Sequence, residues 1–200
     1  SEMCIRDRVT GHNSDGKSVI KIDGPPTRSI GEDVGGLFEI WNTDGEAIQS
    51  KDQIDRADID IILSPTKGGS KFRYFKINPT PEDVPIEVLE SLASEAFKKI
   101  GAEHERVDTT RHPTMHKTKT IDYIILLEGD VTLLLDEDEV SLKPFDVVVQ
   151  RGTNHAWINN GTEPALFIAV LIDAEINDLS LIDISEPTRP ERMWYAVFWL

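Results

Sequence analysis

The stretch His116-Lys-Thr-Lys-Thr-Ile-Asp122, with Gly129 after six intervening residues, decides the fold of this chain together with a later echo, Gly152-Thr-Asn-His155-Ala-Trp-Ile-Asn159. Both segments read as strands bounded by turns, and along a strand side chains two apart share a face. His116 and Thr118 therefore point the same way. Asp122 shares its face with Ile124 and Leu126, and His155 shares its face with Trp157 and Asn159. Two imidazoles and one carboxylate on inward faces form the two-histidine, one-carboxylate set that suits an open ferrous or related site.

Working outward, short strands follow one another closely from Ile121: 121–128, 131–136, 139–142, 146–149, 155–159 and 165–171, joined by turns such as Glu128-Gly129-Asp130 and Asn160-Gly161-Thr162. Such spacing indicates an all-β antiparallel barrel or sandwich, with a jelly roll as the natural architecture. Ile124-Ile125-Leu126-Leu127 and Val147-Val148-Val149 are apolar on both faces, so the outer wall also needs cover from N-terminal strands, a helix or a second subunit. In the first half, 18–22, 37–41, 59–63 and 72–77 read as strands. One helix is predicted, entering at Pro79-Thr-Pro-Glu-Asp83 and ending at Gly101; its stripe of Ile86, Val88, Leu89, Leu92, Ala96 and Phe97 should pack outside the sheet.

The chain resembles the cupins, whose first motif reads G-x5-H-x-H-x3,4-E-x6-G and whose second reads G-x5-P-x-G-x2-H-x3-N. Asp122-x6-Gly129 fits the end of the first, and Gly152-x2-His155-x3-Asn159 fits the end of the second, over about Thr110 to Ala174. In that alignment His116 takes the first histidine position, Thr118 the second, and Asp122 replaces the glutamate; Thr110 and Gln150 stand where the motifs have glycine and proline. The resemblance implies a cupin-type jelly-roll barrel with His116, Asp122 and His155 as metal ligands and Asp122 and His155 as the catalytic residues. Fe(II) is preferred, with Mn, Ni, Cu or Zn also compatible with these donors. Thr118 can orient a bound water, while Trp157, Tyr123 and Arg151 are candidate substrate contacts, Arg151 as a fork for a substrate carboxylate. His112, ahead of Pro113, stands at the barrel entrance; His12 and His104 lie in polar segments.

The expected function is a metal-dependent enzyme of oxygenase or lyase type acting on a small organic-acid, aromatic or polyketide-like metabolite: a dioxygenase, decarboxylase, isomerase or lyase. The alternatives are a metal-free small-molecule-binding or sensory barrel, and a metal-free isomerase using the His and Asp pair as general acid and base.

A formal net charge of −15, with 21 basic residues scattered along 200, argues against nucleic acid and anionic membranes as partners. No apolar run reaches the ~20 residues of a membrane span, and a cytoplasmic location with a small-molecule substrate and a homodimeric assembly is expected. Cys4 alone supports neither a disulfide framework nor a cysteine-based zinc site. Glycine-rich phosphate loops and a nucleophile elbow are absent, and the Asp136-Glu-Asp-Glu139 run lacks calcium-loop spacing. Residues 1–8 resemble translated sequencing-adapter DNA, a non-native leader set aside from the fold; residues 9–200 read as one domain. Its tail, 178–200, ends in Met193-Trp-Tyr-Ala-Val-Phe-Trp-Leu200, an aromatic surface expected to pack on the barrel or a partner subunit.

Overall fold

The computed structural model describes residues 7–31, 35–46, 54–79 and 84–176. The elements run β1 (Asp7–His12), β2 (Ser18–Gly24), β3 (Arg28–Ile30), β4 (Gly35–Thr43), β5 (Ser70–Ile77), α1 (Ile86–Lys99), a 3-10 turn (Glu103–Glu105), β6 (Thr120–Glu128), β7 (Val131–Leu135), β8 (Glu139–Leu142), β9 (Val147–Arg151), β10 (His155–Asn159) and β11 (Ala165–Asp173). A six-stranded sheet in the order β3-β4-β5-β11-β6-β9 faces a three-stranded sheet β10-β7-β8, with the β1-β2 hairpin apart; all pairings are antiparallel. This is the jelly-roll arrangement expected of the sequence.

Register explains what lies between the sheets. Leu37, Phe75, Phe167 and Leu126 stand side by side across the large sheet, and the next row is Glu39, Arg73, Ala169, Ile124 and Val148. The row after that is Asn42, Lys71, Leu171, Asp122 and Gln150. The interior therefore grades from apolar to polar along the strands. At the apolar end Leu126, Val131, Leu133, Trp157 and Phe167 form one buried cluster with Phe75 and Ile77 packed against it. Each such large side chain contributes roughly 1.5–3 kcal/mol when taken from water. A register shift between Glu39 and Trp41 inserts Ile40 as an extra residue, which brings both Glu39 and Asn42 to the interior. On the other side of the small sheet Met115, Leu134 and Ala156 make a second cluster under Ile158.

The turn after β6 needs Gly129: its φ is +108°, and a Cβ there would lie 2.6 Å from the Cβ of Ala165. This is the physical content of the motif's closing glycine.

Several expectations are corrected. Residues 59–63 form no strand; Leu63 N–H bonds the carbonyl of Ile100, and the Ile62 carbonyl is turned toward Arg73. The helix begins at Ile86 rather than near Pro81, behind Pro85, and 80–83 lie outside the described residues. Its buried side chain is Ala93, with Leu89 and Phe97 partly covered, while Ile86, Val88 and Leu92 of the predicted stripe face solvent. The exterior of β6 and β9 is likewise open at Tyr123, Val147 and Val149. Asp7 and Arg8, assigned to a leader, pair in β1 with Gly24 and Asp23, and Arg8 Nε lies 3.3 Å from the Asp23 carboxylate. The aromatic tail lies outside the described residues.

Candidate functional site

His155 opens β10 and His116 lies beside it on the incoming segment, where the two backbones exchange a pair of N–H···O bonds of 3.0 Å. This bridge brings the imidazoles together, ring centroids 4.3 Å apart and planes tilted by 46°. Each ring donates from Nδ1 to a carbonyl two residues earlier, His116 to Thr114 and His155 to Thr153, both at 2.9 Å. A carbonyl only accepts, so Nδ1 carries the proton and each Nε2 keeps a lone pair, the tautomer a metal-ligating histidine needs. The Gln150 amide donates to that same Thr153 carbonyl, 3.2 Å, and also bonds the Thr153 hydroxyl. Gln150 thus holds the turn that aims His155, where the family motif has proline. Gly152, φ +59°, makes the turn itself possible.

Burial holds both imidazoles neutral, His116 down at about 4 and His155 at about 3, the latter also by repulsion from its neighbour. Phe97 of α1 sits 4.8 Å from the His116 ring and Trp157 5.5 Å from His155, so the pair is walled by aromatic surface.

Asp122 points into the same interior from β6. Burial pushes its carboxyl up to about 6, opposed by a Thr120 hydrogen bond and the nearby Arg73 charge and reinforced by the Glu105 charge. Thr118 and Thr120 share its face and bond each other at 2.6 Å. With Thr120 donating to the carboxylate, Thr118 must donate to Thr120, so the hydroxyl in the second-histidine position supports Asp122. Asp122 Oδ1 has no hydrogen-bond partner among the described residues. Trp157 lines the interior floor. Tyr123 and Arg151 do not: Tyr123 is 50% exposed, and strand alternation turns Arg151 outward beside buried Gln150. His112 is engaged locally, its Nδ1 2.8 Å from the Thr114 hydroxyl.

The sequence reading missed three charged side chains at this end. Glu39 receives Arg73 Nη2 at 2.6 Å and faces Lys71 Nζ at 3.7 Å, all three buried between the sheets. Lys71 is also held by Asn42 Oδ1 at 3.1 Å. The signal was in the alternation of Lys71-Phe-Arg73-Tyr-Phe75, since the parity that puts Phe75 in the core also puts Arg73 and Lys71 inside. The Glu39 signal was hidden by the bulge. Glu105, bonded by the Ser64 hydroxyl, is a fourth buried charge; burial raises its carboxyl.

Whether these residues fit a metal follows from their donors. Two fixed imidazoles with free Nε2 lone pairs and a buried carboxylate oxygen without a partner are the right chemistry for a divalent transition ion. Among the described residues, however, no three His, Cys, Asp or Glu side chains converge closely enough to hold one. The two histidines lie together, and Asp122 stands apart from them, on β6.

Fold, motif residues and paired histidines agree with what comparison with known proteins finds. Residues 104–171 match the cupin domain family. Over 187 residues it is 28% identical to the cupin-domain-containing oxidoreductase virC of Hypocrea virens, covering 89% of this chain and 82% of that protein. Shorter matches are 43% identity over 65 residues with the cupin-domain-containing oxidoreductase srdD of Neurospora crassa, 30% of this chain and 33% of that one, and 54% over 46 residues with phomopsin biosynthesis cluster protein C' of Diaporthe leptostromiformis, 22% and 24%. Among the described residues no helix is long and apolar enough to cross a membrane.

Proposed function

We propose that this protein is a metal-dependent cupin oxidoreductase acting on a small organic-acid, aromatic or polyketide-like metabolite. The observation that carries the proposal is the closely apposed His116–His155 pair with both Nδ1 protons fixed on backbone carbonyls, which leaves two Nε2 lone pairs directed by the fold rather than by solvent. The names of its full-length and local relatives as oxidoreductases support the same class.

His116 and His155 would hold the ion through Nε2, and Asp122 through its carboxylate. A bound Fe(II) ion would supply Lewis acidity and one-electron chemistry toward substrate. The protein's own part is separable. Thr118 and Thr120 orient the carboxylate, Gln150 and Thr153 orient His155, and Trp157, Phe75 and Phe167 keep the floor dry. Stability of the neutral imidazoles at neutral pH keeps both Nε2 atoms available as ligands.

The alternative, a metal-free small-molecule-binding cupin, is favoured by Thr118 in a ligand position and by the separation of Asp122 from the histidine pair. Elemental analysis of protein purified without chelator decides between them. One equivalent of a transition metal that disappears in His155→Ala is the expected result; none after anaerobic reconstitution with iron, manganese, nickel, copper or zinc would overturn the metal reading. A homodimer belongs to the proposal, since Tyr123, Val147 and Val149 expose an apolar outer wall that a second copy would bury. Sedimentation at micromolar concentration should give twice the chain mass, and a monomer would remove this part.

A further inference from the structure

Arg73 is 1% exposed and lies in the middle of the large sheet, yet most of its hydrogen-bonding capacity is idle. Nη2 makes both of its contacts, to Glu39 at 2.6 Å and to the Ile62 carbonyl at 2.8 Å. Nε and Nη1 have no partner among the described residues. A guanidinium has five N–H donors, and leaving several without acceptors in a desolvated interior carries the full desolvation penalty of each. A purely structural ion pair would be expected to saturate them.

The surroundings suggest the shape of what completes the site. Ala169 is the neighbour of Arg73 on β11, so the side chain next to Arg73 on that strand is a single methyl group. Two residues along the same face, Phe75 is only partly buried and stacks on Phe167 at 4.6 Å, with Trp157 at 6.4 Å. A cation with unused N–H donors beside a flat aromatic surface suits a planar body ending in a carboxylate.

We propose that Arg73 is the anchor for the carboxylate of a small planar acid bound inside the barrel, with Phe75 as the shelf for its body. Arg73 thereby takes the role that the sequence alone suggested for the outward-facing Arg151. The inference deepens the functional reading above and rests on it for the entry of a small metabolite into this interior.

The test is calorimetric titration of the full chain, in chelator, with benzoate and with benzamide, its uncharged counterpart of the same shape. Benzoate should bind at least tenfold more tightly than benzamide, about 1.4 kcal/mol. The paired neutral variant Glu39→Gln with Arg73→Gln should lose that preference, and Arg73→Lys, which keeps the charge but not the Nε and Nη1 donors, should weaken benzoate at least fivefold. Arg151→Gln should leave the affinity within twofold of wild type. Equal binding of the two probes, no benzoate binding to the wild type, or loss on Arg151→Gln with retention on Arg73→Lys would each overturn the proposal. Failure of the metal reading is seen separately, as wild-type protein that holds no ion in elemental analysis after reconstitution yet keeps the benzoate preference in chelator.

Discussion

Acidification should loosen this fold through the paired imidazoles, and the size of the effect follows from the groups already described. In the unfolded chain each histidine titrates near 6.5, whereas burial holds His155 at about 3 and His116 at about 4. Their stabilising contribution is therefore complete above 6.5 and is lost as pH falls through the folded values, because the unfolded chain takes up protons that the folded one refuses. Between pH 7 and pH 5 the linkage amounts to about 2 kcal/mol for His155 and at most about the same for His116, which is partly open to solvent. Asp122 works in the opposite direction. Its carboxyl, raised from 3.8 to about 6, gains a proton in the folded state first, so its contribution favours folding at low pH and is lost as pH rises through 6. That returns about 1 kcal/mol over the same interval. The imidazoles win, and a net loss of about 2 kcal/mol is expected, a large part of the 5–15 kcal/mol a domain commonly has. Urea unfolding followed by circular dichroism at pH 7 and pH 5, in chelator, measures it. The drop should shrink to under about 1 kcal/mol, or reverse, in a His116→Gln, His155→Gln variant. An equal drop in that variant would refute the assignment of the acid sensitivity to this pair.

Other perturbations separate packing from charge. Glu39→Gln alone leaves Arg73 and Lys71 buried without their shared carboxylate and should cost about 3–5 kcal/mol in chemical unfolding, whereas neutralising Arg73 along with it should cost less; additive losses would contradict a coupled network. Gly129→Ala meets both a positive φ and Ala165 at 2.6 Å and should lower the thermal midpoint by several degrees, reflecting about 1–3 kcal/mol, while Gly16→Ala, whose Cβ would meet nothing within 4 Å, should lower it less. Trp157→Ala removes the side chain that packs against His155, Phe75 and Phe167 and should destabilise by about 3–5 kcal/mol; a loss below 1 kcal/mol would mean the floor is not packed as described. Gln150→Ala should weaken any metal bound at His155 by about 10–100-fold with little change in stability, read by competition with a chelator.

Much of this protein was legible from residue order. The alternation from Ile121 onward put Asp122 with Ile124 and Leu126 on one face and His155 with Trp157 on another, and the structure keeps both parities, because a strand in a packed sheet cannot rotate without moving its whole apolar set to water. The motif glycines reported positive-φ turns. Parity was also enough to reveal Arg73, had charge not discouraged an inward reading. What order could not decide depends on contacts far apart in the chain. The bulge at Ile40 set Glu39 opposite Arg73, the partial exposure of Phe75 left a shelf beside an underused guanidinium, and the bridge between His116 and His155 brought together rings 39 positions apart. The helix stripe and the outward turn of Tyr123 and Arg151 were misread for the same reason: a local pattern says which residues share a face, and only the neighbouring layers say which face meets the core.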